Sequence, residues 1–212
     1  MQQATRICLI RHGETAWNAE MRIQGQIDVP LSEAGLAQAR AAARRLRAER
    51  FDAIHASDLA RARQTAQEIA TVQGLPVQVS PWLRERRYGI FESLTYAQAR
   101  ERHPHEFARH ARREEEFDFC GGESLREFAA RVLAGMAGIL ARHAGQQVLL
   151  VTHGGVLDIV HRRASGKPLA APRDFEIPNA AIHWIEAAGQ RWSIVSWAQR
   201  DHLHGAIDEL PG

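Results

Sequence analysis

The chain shows short apolar runs that alternate with longer stretches of helical periodicity. Runs over 6–10 and 148–151 are almost entirely apolar, which is typical of strands covered on both faces. Shorter β-branched or alternating stretches add further strands and a C-terminal hairpin around Ala188 and Gly189. The predicted strands are 6–10, 52–57, 75–80, 148–151, 180–187 and 191–197.

Four stretches between these strands predict helices. The first is rich in Ala, Leu and Arg and follows Ser32, a residue type that commonly caps helices. Another places Leu125, Phe128 and Val132 on one face at the spacing of an amphipathic helix. The predicted helices are 31–50, 58–72, 123–144 and 156–166.

Alternating strands and helices predict an α/β fold, a three-layer α/β/α sandwich with a mostly parallel mixed sheet. The 212 residues suit a single domain over 1–212 with an inserted subdomain. The segment 81–122 is less regular and dense in charged and aromatic residues, and it is the predicted insertion. Its charge run at 112–116 is expected to form the exposed face of a helix.

The amino-acid composition and net charge limit the classes of partner that we expect for this protein. Hydrophobic residues make up 45% of the chain, charged residues 25%, and the formal net charge is +2 at pH 7. This balance gives no indication of a nucleic-acid or membrane partner. The N-terminal residues lack the pattern of a secretory signal, and no apolar run approaches the roughly 18 residues that cross a bilayer. With only Cys8 and Cys120, we expect no disulfide framework and a cytoplasmic location.

Two predicted strands end on a histidine. The first runs into Arg11 and His12, and the strand over 148–151 runs towards His153 and Gly154. Ligands of open α/β sheets bind beyond the carboxyl ends of the strands. The two histidines therefore predict a site at that edge if the two strands are neighbours. For either histidine alone, an exposed polar turn is the simpler interpretation.

The surrounding residues favour an anion over a metal ion. A catalytic metal site needs about three protein ligands, and Glu14 and Asp158 do not complete such a set. Arg11 would repel a dication, whereas its guanidinium matches a phosphate dianion. Glycines after both histidines allow backbone N–H groups to approach an oxyanion. A neutral histidine is also a competent nucleophile towards phosphorus, so we expect no metal and no cofactor.

Phosphoryl transfer needs further positive charge and a proton donor for the leaving oxygen. Arg61 falls in the first turn of a helix that follows a strand, so it can point to the same edge. Arg63 lies about 200° further around that helix and cannot share its direction. Glu85 is the candidate acid. Taken individually, Arg61 and Glu85 would more commonly form surface ion pairs.

Five sequence blocks occur in the order found in one enzyme family. They are LIRHGET, SDLARARQTA, LRERRYGIFESLT, GGESL and VTHGG. Together they resemble the signature blocks of the histidine phosphatase superfamily, the phosphoglycerate-mutase-like proteins, over about residues 6–179.

The resemblance implies roles for particular residues. It implies a phosphohistidine intermediate on His12 and a proton donor in Glu85. The residues that it implies around the phosphate are Arg11, Asn18, Gln24, Arg61, His153 and Gly154. We expect the segment 81–122 to cap the pocket. Candidates for contact with the organic group are then Arg86, Arg87, Tyr88 and Phe91, with simple packing as the alternative.

The family contains phosphatases, which pass the phosphoryl group to water, and mutases, which pass it to a second substrate oxygen. This chain lacks most of the mutase insertion, and GGES leads directly into the long helix, although ERRYG and HARRE resemble mutase sequences. The balance favours a metal-independent phosphomonoesterase acting on a small-molecule phosphate ester. The alternative is a 2,3-bisphosphoglycerate-dependent phosphoglycerate mutase. The terminal hairpin offers an edge for a homodimer.

Overall fold

The protein is built on a six-stranded sheet. A computed structural model describes residues 3–203, so the ends of the predicted domain, 1–2 and 204–212, lie outside the described residues. The strands are β1 (Thr5–Arg11), β2 (Ala53–Ala56), β3 (Val77–Val79), β4 (Gln147–Thr152), β5 (Ile182–Ala188) and β6 (Arg191–Gln199). They lie in the order β3-β2-β4-β1-β5-β6.

The sheet is mixed, with a parallel majority. β1 pairs in parallel with β4, β4 with β2, and β2 with β3. β5 runs antiparallel to both β1 and β6. The predicted mostly parallel sheet and the predicted C-terminal hairpin are both confirmed.

Helices cover both faces of the sheet. They are α1 (Ala16–Ala19), α2 (Glu33–Arg45), α3 (Ala60–Gln73), α4 (Tyr96–Arg102), α5 (Pro104–Ala111), α6 (Leu125–Arg142) and α7 (Gly154–Ser165). Side chains of α2 and α3 share one apolar cluster with the sheet, and side chains of α6 and α7 share another. The predicted three-layer α/β/α sandwich is therefore confirmed. Among helices within residues 3–203, none has the length and apolar character to span a bilayer.

The packing of β1 shows why its residues 7–10 are all apolar. Ile7 and Leu9 belong to the cluster with α6 and α7, whereas Cys8 and Ile10 belong to the cluster with α2 and α3. Successive side chains of a strand point to opposite faces, and both faces are covered here. All four residues are fully buried.

The helix starts follow local side-chain chemistry. The hydroxyl of Ser32 accepts a backbone N–H and caps α2, as predicted. Helix α3 begins at Ala60 instead of the predicted position 58, because the backbone of Leu59 is extended. The carboxylate of Asp58 does not cap the helix and binds the Arg84 guanidinium at 2.8 Å. The N–H of Ala60 is instead satisfied by Asp28 Oδ1 at 2.7 Å.

The C-terminal ends of α2 and α3 differ in structure. α2 stops at Arg45, five positions before the predicted limit, and the buried Leu46 follows it. The last residue of α3 is Gln73, and the capping residue Gly74 follows it with a φ of 66°, in the left-handed region. Glycine reaches this region without steric penalty, so it suits the residue after a helix.

The segment 81–122 contains two short 3₁₀ turns, α4 and α5. Phe91, Phe117 and Phe119 form its apolar centre together with Ile23 and Ala99. The prediction of a helix face at 112–116 was wrong, because α5 ends at Ala111 and the run continues in turns.

His183 is a buried titratable residue in the hairpin. Its Nδ1 accepts a hydrogen bond from the backbone N–H of Ala198 at 3.0 Å, so this nitrogen carries no proton. Burial, with smaller effects from His161 and Arg11, lowers the pKa of His183 to about 3.

We predict that His183 makes the fold sensitive to acid. Between pH 6.5 and its folded pKa of about 3, the unfolded chain binds a proton that the folded chain excludes, so stability falls as the pH falls. Chemical denaturation at pH 8 and pH 5 should show a contribution of about 2 kcal/mol from this residue. His183→Asn keeps an acceptor for Ala198 without a titrating ring and should reduce the pH dependence by that amount. His105→Asn, at an exposed position, is the control, and an equal change in both variants would contradict the assignment.

Candidate active site

The register of β1 and β4 brings the two strand-end histidines together. Arg11 at the end of β1 pairs with Thr152 at the end of β4. The next residues, His12 and His153, place their ring centroids 5.1 Å apart. The N–H of His12 donates to the carbonyl of Thr152 at 2.9 Å, which extends the pairing by one residue. The two motifs thus form one site at the carboxyl edge of the sheet.

The hydrogen bonds of His12 fix its tautomer. Its Nδ1 lies 2.7 Å from the carbonyl oxygen of Gly13. A carbonyl only accepts, so Nδ1 carries the proton and Nε2 keeps a free lone pair. Burial and the charges of Arg61 and Arg11 hold the pKa of His12 well below its usual range. The ring is therefore neutral at physiological pH, with Nε2 available as a nucleophile.

The backbone around His12 is fixed by residues that sequence reasoning missed. The side-chain amide of Asn179 donates to the His12 carbonyl at 2.9 Å. The N–H of Gly13 donates to the hydroxyl of Thr65 at 3.0 Å, and that hydroxyl donates to the carbonyl of Arg61 at 2.8 Å. Asn179 is 167 positions from His12, so no local pattern could have indicated this contact.

Arg61 is a buried cation in the first turn of α3. It is 0% exposed, and its Nη1 and Nη2 donate to the carbonyls of Ile27 and Gly25 at 2.9 and 2.8 Å. Its Nε has no partner among the described residues. Burial lowers the pKa of Arg61 to about 10, so it remains charged at neutral pH. Carbonyls hold the side chain in place without neutralising its charge.

His153 and Arg11 complete the inner part of the site. His153 precedes α7 and is fully buried, and within residues 3–203 neither ring nitrogen has a hydrogen-bond partner. Burial and the charge of Arg61 lower the pKa of His153 well below its usual value. Arg11 Nη1 donates to the carbonyl of Ile177 at 2.7 Å. A neutral imidazole with free nitrogens beside two arginines suits an oxyanion.

Glu85 reaches the same edge from the segment 81–122. Its Oε1 accepts the N–H of Arg86 at 2.7 Å, and its Oε2 accepts the N–H of Gly155 at 3.0 Å. A side chain at Gly155 would collide with Glu85 Oε1, so the absence of a side chain there leaves room for the carboxyl group. A Cβ at Gly154 would lie 3.7 Å from Arg11 Nε and 3.9 Å from Glu85 Oε2. Gly154 therefore lies between the cation and the carboxyl group.

Arg131 in α6 positions the backbone that carries Glu85. Its guanidinium donates to the carbonyls of Trp82, Arg84 and Glu85 at 2.8, 3.0 and 3.2 Å. It also forms an ion pair with Glu123 at 2.7 Å. In the sequence, Arg131 is one of several arginines of an amphipathic helix, and nothing marks it as a positioning residue.

A cavity opens above this site, between α7 and the segment 81–122. Its lining residues include the site residues Arg11, Glu85 and Gly154. The rest of the wall is formed by Arg86, Tyr88, Tyr96, His110, Arg113, Leu125, Phe128, Gly155, Asp158 and Arg173. Aromatic and cationic side chains thus surround the space in which the organic part of a ligand would lie.

Only two of the four residues predicted to contact the organic group lie on the cavity wall. Arg86 and Tyr88 line the cavity, whereas Arg87 is exposed outside it and Phe91 is fully buried in the apolar centre of the segment 81–122. Phe91 therefore packs inside the segment and does not reach the cavity, which was the alternative predicted for these residues.

Neither Asn18 nor Gln24 lies on the cavity wall. The side-chain oxygen of Asn18 accepts the N–H and the hydroxyl of Thr15, both at 3.0 Å, in a capping box of α1. Gln24 is buried, and its Oε1 has no partner among residues 3–203.

The described residues contain no group of three or more His, Cys, Asp or Glu side chains that could hold a metal ion. The site instead combines a neutral histidine with a free ring nitrogen, two arginines, a second histidine and a carboxyl group at the carboxyl edge of an α/β/α sandwich. These features define a protein that handles phosphate esters. The chain belongs to the histidine phosphatase superfamily (branch 1), whose sequence profile matches residues 7–200. The resemblance seen in the sequence is confirmed.

Relatives include phosphatases and mutases. A metal-independent phosphoserine phosphatase of Arabidopsis thaliana is 37% identical over 204 residues, which cover 95% of this chain and 84% of the relative. A probable phosphoglycerate mutase of Enterobacter is 36% identical over 210 residues, covering 96% and 98% of the two chains. The solved structure of a mycobacterial glucosyl-3-phosphoglycerate phosphatase has a TM-score of 0.80 and 33% identity, covering 93% of this chain and 100% of that one.

We predict that Gly155→Ala lowers activity more than stability. The added methyl group would occupy the place of Glu85 Oε1 and approach Phe128 to 3.0 Å, and the flexible Glu85 side chain would move away. We expect Glu85 to donate the proton to the leaving oxygen, so its displacement should slow hydrolysis of an alkyl phosphate by roughly 100-fold. Melting temperature and hydrolysis rate should be measured together.

Gly138→Ala is the matched control, because a Cβ there meets nothing closer than 3.7 Å. It should leave the rate unchanged. A Gly155→Ala protein with full activity would show that the contact between Gly155 and Glu85 is dispensable.

Proposed function

We propose that this protein is a metal-independent phosphomonoesterase that hydrolyses a small phosphate ester through a phosphohistidine on His12. The observation that carries the proposal is the free lone pair of His12 Nε2, fixed by the bond between Nδ1 and the Gly13 carbonyl. Arg61 and Arg11, whose charges act on the His12 ring, would bind and neutralise the phosphate dianion. The phosphatase relatives support hydrolysis as the outcome.

In the first step, His12 Nε2 attacks phosphorus and a P–N bond forms as the P–O bond to the alcohol breaks. Glu85 gives its proton to the departing oxygen, which leaves as the neutral alcohol. Arg11, Arg61 and His153 stabilise the charge on the equatorial oxygens of the transition state. Because these groups are already held by the fold, little reorganisation is needed during the reaction.

In the second step, water replaces the alcohol. Glu85, now ionised, accepts a proton from the water as its oxygen attacks phosphorus and the P–N bond breaks. Orthophosphate leaves, and His12 regains its lone pair. The same carboxyl group therefore acts first as an acid and then as a base.

The remaining assignments are also proposals. The segment 81–122 acts as a cap within a single functional unit, since it supplies Glu85 and part of the cavity wall. Asn18 and Gln24 contact phosphate after rotation of their side chains. We place the protein in the cytoplasm, consistent with its free Cys8 and Cys120. The edge strand β6 is the surface through which two copies would form a homodimer.

Relatives suggest the first substrates to test. The names of two of them refer to phosphoserine and glucosyl-3-phosphoglycerate. In both esters the alcohol part carries a carboxylate. Phosphoserine and 3-phosphoglycerate are therefore the first compounds in our substrate panel, together with esters that lack the carboxylate.

A mutase activity is the second candidate, because several relatives are named as probable phosphoglycerate mutases. The purified protein should be given 3-phosphoglycerate with 2,3-bisphosphoglycerate. A phosphatase releases inorganic phosphate, whereas a mutase forms 2-phosphoglycerate without net release. Conversion to 2-phosphoglycerate faster than phosphate release would replace our proposal.

We predict a covalent phosphoryl group on His12. Rapid quenching at alkaline pH during turnover, followed by proteolysis and mass spectrometry, should find one phosphoryl group on the peptide that contains this residue. His12→Ala should lack it and lose at least roughly 1,000-fold in rate, since the nucleophile is removed. His105→Ala, a change at an exposed histidine, is the control. Full activity of His12→Ala would refute the assignment.

We predict that the effect of Glu85→Gln depends on the leaving group. An alkyl alcohol needs a proton as it leaves, so an alkyl phosphate should be hydrolysed about 100-fold or more slowly by the variant. 4-Nitrophenol leaves without a proton, so 4-nitrophenyl phosphate should be affected much less in the phosphorylation step. Single-turnover rates for the two esters test this difference. An equal loss for both would remove the role of proton donor from Glu85.

A further inference from the structure

Glu92 lies in the segment 81–122 and takes no part in the chemical steps proposed above. Its Oε1 accepts two backbone N–H groups, from Tyr88 at 3.0 Å and from Gln26 at 3.1 Å. Tyr88 belongs to the same segment, whereas Gln26 belongs to the loop 24–28 between α1 and α2. One carboxylate oxygen therefore joins two parts of the chain that are 66 positions apart.

The loop 24–28 also holds the guanidinium group of Arg61. Nη1 of Arg61 donates to the carbonyl of Ile27 at 2.9 Å, and Nη2 donates to the carbonyl of Gly25 at 2.8 Å. These two carbonyls flank Gln26, the residue whose N–H is bound by Glu92. The position of the Arg61 guanidinium thus depends on backbone that Glu92 anchors.

The same loop contacts the backbone of Glu85. The side-chain nitrogen of Gln26 donates to the Glu85 carbonyl at 3.1 Å, from a different part of the chain than Arg131, which donates to that carbonyl at 3.2 Å. Gln26 therefore binds Glu92 through its backbone and Glu85 through its side chain, and its neighbours hold Arg61. The cation and the carboxyl group of the site are connected through this one residue.

The backbone of the loop is shaped for this contact. Gly25 has a φ of 51°, in the left-handed region that glycine reaches without penalty, and a Cβ there would collide with Glu92 Oε1. Beside the contact, the N–H of Ile23 donates to the carbonyl of Leu94, and the N–H of Ser93 donates to the carbonyl of Ile23, each at 2.9 Å. Glu92 thus belongs to a continuous seam between the loop and the segment 81–122.

We infer that Glu92 is a positioning residue of the reaction: it fastens the loop 24–28 to the segment 81–122, so that Arg61 and Glu85 keep their relative positions. This inference rests on the proposed phosphatase function. It assigns a role to a carboxylate that binds no substrate and transfers no proton.

The charge of Glu92 and its position have effects of opposite sign on phosphate binding. The charge acts on Arg61, and a negative charge at this distance opposes the approach of a phosphate dianion. Removal of the charge alone should therefore leave phosphate binding unchanged or strengthen it. Loss of the two accepted hydrogen bonds should weaken phosphate binding, because the carbonyls that orient Arg61 lose their anchor.

The test compares Glu92→Ala with Glu92→Gln through two quantities that do not depend on the fraction of folded protein. The first is the Kd of inorganic phosphate, measured by calorimetry. The second is the ratio of the single-turnover rate constants for an alkyl phosphate and 4-nitrophenyl phosphate, which reports on the proton donor. A purely structural role would reduce the melting temperature or the amount of active protein without changing either quantity.

Glu92→Ala should weaken phosphate binding at least roughly tenfold, the size expected for lost hydrogen bonds to a charged group. It should lower the ratio of rate constants as well, since Glu85 also loses support. Glu92→Gln keeps an oxygen that accepts both N–H groups and removes the charge. It should bind phosphate at least as tightly as wild-type protein and keep the ratio within about threefold.

Glu101→Ala is the matched control, because it removes the same side chain from an exposed position in α4, within the same segment. It should change neither the Kd of phosphate nor the ratio of rate constants.

Each outcome has a distinct meaning. If Glu92→Ala keeps the wild-type Kd and ratio, or if Glu101→Ala changes them equally, the positioning role is refuted while the phosphatase function stands. The role is also refuted if Glu92→Gln loses as much as Glu92→Ala, since the accepted hydrogen bonds would then not be the cause. If wild-type protein hydrolyses no ester of the panel, the proposed function has failed, and the Kd of phosphate still tests whether Glu92 positions Arg61.

Discussion

The parallel pairing of β1 with β4 is the constraint on which the site depends. It places Arg11 opposite Thr152, so the residues after them, His12 and His153, meet at the carboxyl edge. A shift of one residue would turn each apolar side chain of β1 to the other face and would move the histidines apart. Because both faces of this strand are buried in separate apolar clusters, the hydrophobic core sets the register. Apolar packing on both faces of β1 therefore fixes the relative positions of His12 and His153.

The site is built from neutral histidines and from arginines whose guanidinium groups are held by backbone carbonyls. Burial and neighbouring cations keep His12 and His153 unprotonated. Arg61 is fully buried, and backbone carbonyls orient its guanidinium group. Burial lowers its pKa only to about 10, while the charges of Glu85 and Asp28 act against that lowering, so Arg61 stays charged. Such an arrangement is unfavourable when empty and becomes favourable when a dianion enters. In the phosphoryl transfer that we propose, the same groups would stabilise the transition state, whose charge is spread over the phosphate oxygens.

The sequence predicted the features that depend on short-range patterns. Apolar runs predicted the strands of the core, and capping residues such as Ser32 predicted where helices begin. The histidines that follow two strands predicted the position of the site, because parallel strands place His12 and His153 at the same edge of the sheet. Contacts between distant segments were not predictable: Arg131 acts 46 residues from Glu85, and Arg113 pairs with Asp158 across 45 positions. These depend on how the segment 81–122 packs on α6 and α7, where no repeating pattern guides the chain.

The same segment supplies both Glu85 and part of the cavity wall. Oε1 of Glu85 accepts the backbone N–H of Arg86, so this backbone positions the carboxyl group that we propose as the proton donor. Any shift of this backbone would also displace the carboxyl group. An ester whose organic part contacts the cavity wall would in turn hold Glu85 in place. Binding energy from a group remote from phosphorus would then increase kcat as well as affinity, which is how remote contacts contribute to catalysis.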